Sequence, residues 1–441
     1  MTWTRGSGSV TGSRGSPVGE GRAGPSAYRG LAPVPVDGRL SRRAGLGFGA
    51  GPGRRRKRLS GLIRRLFGRG SPLRRLDWIL LFAVLALSLI GTLLVWSATE
   101  PSLRQSGADP RQYLMKQLLN IAIGLVLLVG VSLLDYRQIR LLSPIVLVVS
   151  CLALLAVLTP LGSVVNGAKS WISLPGGFQI EPSEYAKLSI ILVSAMILGE
   201  LQTGQTRPWL RALGLTLACA GVPLVLVAAE PDLGVTMLML ALLVGTIALS
   251  GIRLRWLAGL VGISTLGILA IVNLHLLKGY QVSRLTSFLN PNADPRGTGY
   301  SAFQSKILIG SGFWRGTGLF HGQLVAGNFV PEQHTDFIFS VAGEELGFVG
   351  SLVIIGLLAV LLVRALRIAY RADDQFGMLV AAGIAIWFGV QSFINIGMTI
   401  GIMPVTGLPL PFVSYGGSAM FADMIAIGVL QTVYRHRTVF T

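Results

Sequence analysis

Residues 290–347 read NPNADPRGTGYSAFQSKILIGSGFWRGTGLFHGQLVAGNFVPEQHTDFIFSVAGEELG, the longest part of the second half of the chain without membrane-spanning hydrophobicity. They carry the acids Asp294, Glu332, Asp336, Glu344 and Glu345, the cations Arg296, Lys306 and Arg315, and His321 and His334. A stretch this long between apolar segments is usually functional or disordered. Its interleaved Phe, Ile, Leu and Trp argue against disorder, since disordered segments have little to bury. It is expected to be an ordered, chemistry-bearing cap on a membrane body.

That body follows from composition. The 441 residues are 51% hydrophobic, with a mean hydropathy of +0.64. Apolar runs predict about ten spans, at roughly 78–98, 116–134, 141–160, 187–202, 211–229, 233–250, 256–277, 336–363, 376–400 and 418–434. The expected fold class is an all-α polytopic membrane protein with a large extracytoplasmic loop, 278–335, between spans seven and eight. Cys151 and Cys219 both lie in apolar runs, so no disulfide or zinc framework is expected. Four scattered histidines without an HExxH pattern argue against a histidine-rich metal site.

The net charge of +19 is unevenly placed: residues 1–76 hold 17 Lys/Arg against two acids, about +15 of the total. Residues 1–58 are Gly, Ser, Pro and Arg, and are expected to be a disordered basic tail. Leu59, Leu62, Ile63, Leu66 and Phe67 recur at helical spacing beside Arg64 and Arg65. They suit an interfacial helix over 59–68, or simply a basic tail held on the cytoplasmic side. No signal-peptide pattern precedes the first span. With the tail cytoplasmic, Arg137/Arg140, Arg207/Arg211, Arg253/Arg255, Arg364/Arg367/Arg371 and Arg435/Arg437 all fall on that side, as does the C-terminus. The outer side then receives 99–115, 161–186, the Glu230-Pro231-Asp232 turn, 278–335 and 401–417. Function is expected there.

Four constellations could carry chemistry. Asp294 lies in NADPRGTGY, where glycines allow a substrate close approach, although Asp-Pro is also a common turn former. In EPSEYAK, Pro182 suits the first turn of the fourth span, and Glu184 and Lys187 share one helix face. In EPDLG, the acids could bind a cation, pair with Lys187 or Arg296, or cap the sixth helix through Asp232. In PLPFVSYGGS, around Ser414, prolines and glycines imply non-helical backbone at membrane depth. Such backbone persists only where protein buries it or it lines a cavity. Nucleotide-binding and serine-hydrolase patterns are missing, so a substrate for an outward-facing enzyme must carry its own activation.

These residues are similar to those of the SEDS proteins (shape, elongation, division and sporulation), the RodA/FtsW/SpoVE polytopic family. The resemblance spans residues 77–437: GAKSWI before EPSEYAK, EPDLG, DPRGTGY followed by IGSGFWRG, PEQHTDFIFSVAGEELG, and LPLPFVSYGGS. The last motif and the DPRGTGY loop resemble the RodA, or elongation, branch more than the FtsW branch. The resemblance implies a peptidoglycan glycosyltransferase that polymerises lipid II outside the cytoplasmic membrane, paired with a class B penicillin-binding protein transpeptidase. It places the catalytic aspartate on Asp294 and further functional positions on Trp171, Glu184, Lys187 and Asp232. Lys169-Ser170 and Glu181 depart from the family pattern, and the basic tail lies outside its core.

The residue chemistry agrees. A sugar pyrophosphate leaves readily, so charge neutralisation matters more than a general acid, while the attacking hydroxyl needs a base. Asp294 is expected to be that base, with Lys187, Arg296 and Lys306 facing pyrophosphate, with or without Mg or Mn. His334 and Ser414 complete the substrate-binding candidates. A lipid II flippase, a division-type polymerase and a scaffold for a penicillin-binding protein are the competing readings. Transporters place ionisable groups near the midplane of broken helices; here they cluster at the outer edge.

Overall fold

The computed structural model describes residues 75–165, 168–173, 179–200, 210–230, 232–273, 279, 282, 286, 288 and 299–437, all within one unit of the chain, Gly61–Thr441. The expected tail and its helix over 59–68 lie outside the described residues, as do Asp294 and Arg296.

The helices are α1 (Trp78–Gln105), α2 (Gln112–Ser132), α3 (Tyr136–Leu158), α4 (Pro182–Leu198), α5 (Leu210–Ala229), α6 (Leu233–Leu249) and α7 (Leu254–Asn273), followed by α8 (Tyr300–Ser311), α9 (Gln323–Ala326), α10 (Ile338–Glu345), α11 (Gly347–Tyr370), α12 (Gln375–Ile400) and α13 (Gly417–Arg437). Seven of them, α1, α2, α3, α5, α11, α12 and α13, are long and apolar enough to cross a membrane; α6 and part of α7 are shorter apolar helices. Val126, Leu141, Ile145, Val225 and Phe348 are exposed on these helices. A soluble protein would not leave so much apolar surface bare; a bilayer covers it.

The centre is built from α4 and α12. Helix α4 packs against α3, α5, α6 and α12, and α12 also meets α8, α10, α11 and α13. Both are apolar nearly all round, which suits a helix buried on every side. Pro182 occupies the first turn of α4, where its missing N–H costs nothing.

Two differences from the sequence reading stand out. Residues 162–180 form a three-stranded antiparallel sheet, β1 (Gly162–Val165), β2 (Ala168–Ser173) and β3 (Gln179–Ile180), with Ile172 opposite both Gly162 and Ile180. The fold is therefore helical with a small sheet. The expected span 336–363 is also broken: α10 ends at Glu345, and α11 starts at Gly347 with φ +67°. That angle is open to glycine and strained for other residues.

Charge pairing locks one end of the bundle. Asp77 caps α1 by accepting from Leu80 N at 3.2 Å and pairs with Arg364 at 2.6 Å. Gln431 exchanges two hydrogen bonds with the Asp77 backbone, at 2.8 and 3.1 Å. The Tyr136 hydroxyl bonds Asp374, which caps α12 through Gly377 N at 3.1 Å.

Candidate functional site

At the opposite end, five segments converge: the sheet, the N-terminus of α4, the α5–α6 turn, the α8–α10 segment and the 401–416 loop. Contacts of α4 with β2 and α13, and of α13 with β3, bring the sheet over the helix start. Ser418 Oγ accepts from Glu181 N at 3.0 Å and donates to Gln179 O at 3.1 Å, tying β3, α4 and α13 together.

Glu184 and Lys187 form the pair their spacing allows, at 2.7 Å, with side chains 1% and 0% exposed. Lys187 Nζ also donates to Gln391 Oε1 at 3.0 Å and lies 4.8 Å from the Trp387 ring centre. Trp387 Nε1 donates to the same Gln391 oxygen at 2.7 Å, and Gln391 Nε2 reaches Pro409 O at 2.8 Å. The expected cation for an open pyrophosphate is thus enclosed, holding α4 to α12 and to the loop. A buried charge is tolerable only with such pairing.

The loop is non-helical, and protein buries it. Asn395 Nδ2 donates to Leu408 O at 2.7 Å and to Asp336 O at 2.8 Å. Ser414 Oγ accepts from Leu410 N at 2.8 Å, so its hydroxyl closes a turn, and the residue is buried. Gly91 of α1 lies against Val413: a Cβ there would come within 2.3 Å of Val413 O.

The α5–α6 turn shows one of its expected roles. Asp232 caps α6, accepting from Val235 N at 3.0 Å. Glu230 is fully buried, and neither carboxylate oxygen has a hydrogen-bond partner among the described residues. Ser170 of β2 faces it without closing a bond of normal geometry, and Ser170 Oγ is likewise unpartnered. Burial first, then the charge of Asp232, pushes the Glu230 carboxyl up to about 8. Glu181, at the cap position of α4, is also raised well above the usual carboxylate range, by burial and then by Glu184 and Asp232. Asp423 of α13 lies within Coulomb reach of Glu184 and Lys187.

Trp171 is half-buried on β2, where its carbonyl accepts from Ser163 Oγ at 3.1 Å. His334 is half-buried between two rings, 5.1 Å from Tyr113 and 5.7 Å from Tyr415. Burial lowers its pKa, and Glu332 opposes that shift. Lys306 is exposed on α8, beside Gly401. The structure therefore gathers Glu184, Lys187, Asp232 and Ser414 into one supported region and leaves Trp171, His334 and Lys306 as accessible groups.

Residues outside the expected set matter as much. Gln391, Asn395 and Trp387 hold the site from α12, and their apolar surroundings gave no separate signal. Glu344 accepts from Leu324 N and Val325 N, both at 2.9 Å, and Glu345 bonds Ser97 Oγ and, at 3.2 Å, Phe320 N. Burial raises Glu345 to about 7, against the lowering effect of those two bonds. Among the described residues, no three His, Cys, Asp or Glu side chains converge as a metal site.

Known proteins share this plan. MrdB of Escherichia coli (strain K12), named a peptidoglycan glycosyltransferase, is 37% identical over 369 residues, covering 82% of this chain and 94% of that protein. Stage V sporulation protein E of Bacillus subtilis (strain 168) is 38% identical over 365 residues, 82% of this chain and 97% of that one. The crystal structure of the rod shape determining protein RodA of Thermus thermophilus superposes with a TM-score of 0.60 at 30% identity, covering 82% and 97% of the two chains. A chain from a peptidoglycan synthase complex, described as coordinating polymerization and crosslinking, gives 0.67 at 30% identity, covering 82% and 98%. The family model for FtsW, RodA and SpoVE, described as cell cycle proteins, matches residues 77–439, and the chain belongs to that family of multi-pass membrane proteins.

Proposed function

We infer that this chain is a peptidoglycan glycosyltransferase of the elongation type, joining lipid II units into glycan strands and releasing undecaprenyl pyrophosphate. The observation that carries this reading is the near full-length likeness to MrdB, itself named a peptidoglycan glycosyltransferase. Sidedness follows from charge. Arg140, Arg364, Arg367, Arg371 and Arg435 gather at the ends of α3, α11 and α13 near Asp77. Basic span ends face the cytoplasm, so the termini lie inside and the Glu184 end faces out.

In the reaction, the acceptor 4-hydroxyl oxygen bonds to the donor's anomeric carbon as that carbon's bond to pyrophosphate breaks. Asp294 takes the hydroxyl proton, and pyrophosphate departs with the bonding pair. Arg296 and Lys306 offset the growing negative charge. Glu184 and Lys187 act by fixing the start of α4, and Ser414 by shaping the loop beside it. Trp171 and His334 are the accessible rings for sugar and peptide, and Asp232 holds the turn beneath β2. A divalent ion would be held by pyrophosphate oxygens and one or two carboxylates, as Mg commonly is. The likeness to a synthase-complex chain supports a crosslinking partner, a class B penicillin-binding protein transpeptidase.

A division-type polymerase is the second reading, favoured by 36% identity over 360 residues to a probable peptidoglycan glycosyltransferase FtsW of Trichlorobacter lovleyi. Activation by a division rather than an elongation transpeptidase would select it. The decisive assay is lipid II polymerisation by the purified chain with its transpeptidase, wild type against Asp294→Ala. Glycan strands from the wild type and none from the folded variant are expected. Polymer from both removes Asp294 from the chemistry; polymer from neither, with partner and Mg supplied, favours the flippase or scaffold.

A further inference from the structure

Helix α8 is tied to the C-terminal end of α12. Ser305 Oγ donates to Thr399 O at 2.9 Å, and both residues are fully buried. Thr399 belongs to the last turn of α12, where carbonyls run out of partners within the helix. Gly401 closes that turn at φ +80°, and Ile402 N and Met403 N both donate to Gly397 O, at 2.8 and 3.2 Å. A cation near such an end is stabilising, yet no basic residue lies in the last turn of α12.

The cation comes from the next residue of α8. The Lys306 stem lies across Gly401, where a Cβ would overlap Lys306 Cε and Nζ. Glycine is therefore required twice, by its left-handed angle and by the lysine lying on it. The ammonium so placed meets the negative end of the α12 dipole. Lys306 is exposed there and pairs with no acid among the described residues. Its hold is the partial charge of a helix end. A pyrophosphate, with full charges and several acceptor oxygens, outweighs that hold.

Gly401 also opens the 401–416 loop. Further along, Thr406 lies against Gly234, two residues after the Asp232 cap; a Cβ at Gly234 would come within 2.9 Å of Thr406 O. The lysine, the loop and the start of α6 thus form one line of contact. We propose that the C-terminus of α12 is the resting socket of Lys306, and that pyrophosphate draws the lysine out of it, loosening the first turn of the loop as substrate binds. This rests on the polymerase reading, in which Lys306 faces pyrophosphate, and adds a loop change that substrate triggers.

The test is amide hydrogen exchange over residues 398–407 of the full chain in lipid nanodiscs, with and without inorganic pyrophosphate. Lys306→Met keeps the stem and removes the charge. Without pyrophosphate it should speed exchange at Ile402 and Met403 about two- to five-fold, as expected for one charge at a helix end. Lys306→Arg keeps a charge at similar reach and should exchange like the wild type. Pyrophosphate should speed exchange in the wild type to a similar extent and leave Lys306→Met unchanged. Equal exchange in the wild type and Lys306→Met without pyrophosphate overturns the socket, and so does Lys306→Arg behaving like Lys306→Met. A wild type insensitive to pyrophosphate overturns the withdrawal of the lysine, as does a pyrophosphate effect that persists in Lys306→Met. The comparison without pyrophosphate is independent of the reaction. If the wild type makes no glycan strands while Lys306→Met still speeds exchange, the polymerase reading fails and the socket stands.

Discussion

The two ends of the bundle handle charge differently. At the Asp77 end, the buried carboxylate meets a cap, the Arg364 guanidinium and the Gln431 amide, and Asp374 meets Tyr136 and its own helix. At the Glu184 end, one buried pair is complete, but among the described residues Glu230 has two unpartnered oxygens, and Glu345, Gln333 and Asn395 each keep one. Unmade hydrogen bonds on buried groups cost stability, and native proteins keep few of them. Most such groups among the described residues gather at the Glu184 end, Ser194 near the far end of α4 being an exception, so that end is the less completely paired of the two.

The largest test of this contrast is Lys187→Ala. It strands a buried Glu184 carboxylate and frees Gln391, at a cost of about 3–5 kcal/mol. Thermal unfolding in detergent should show the loss, and Glu184→Gln/Lys187→Met should recover most of it. Asp77→Ala should cost less, about 2–3 kcal/mol, because Arg364 is partly exposed and can turn to solvent. A greater loss at Asp77 than at Lys187 would invert the contrast.

Glu230→Gln sharpens it through pH. The folded carboxyl, at about 8, binds its proton more tightly than the unfolded one near 4.5. Its contribution is therefore complete below the unfolded value and is lost as pH rises through about 8. The wild type should lose stability between those limits, and the glutamine variant should lose less, keeping only the slope that Glu181 and Glu345, also raised, contribute. Parallel melting curves across that window would show that Glu230 is not held neutral.

Asp232 gives the smallest effect. Asp232→Ala should cost about 1 kcal/mol as the α6 cap is lost, and Asp232→Asn only a few tenths, since asparagine also caps. Any fall in polymerisation by the asparagine variant would then isolate the charge.

Features set by neighbouring residues were legible in the sequence. Asp232 precedes its helix directly, and Glu184 and Lys187 lie three residues apart, so local geometry alone predicts a cap and a pair. Apolar runs of span length located α2, α3, α5, α12 and α13 to within five residues at each end, whereas α1 runs seven residues further and α11 starts eleven residues later than expected. Distant partners were not legible. Lys187 is enclosed by Trp387 and Gln391, about two hundred positions away, and no local pattern signals that enclosure. The break before Gly347 depends on hydrogen bonds from the 312–318 turn, so residues 336–363 read as one continuous apolar run. The small sheet left a missed clue: Asn166-Gly167 between two short apolar runs is a hairpin signature.

The contact of Gly91 with Val413 has a consequence for how such chains can diverge. The obstruction is a main-chain carbonyl, which every residue at position 413 would present. No exchange of the opposing side chain can make room, so drift at position 91 has no compensating partner. Any descendant carrying a larger residue there must move the whole 401–416 loop, and Leu408, Pro409 and Ser414 with it. One missing methyl group thus ties the history of the first helix to that of the last loop.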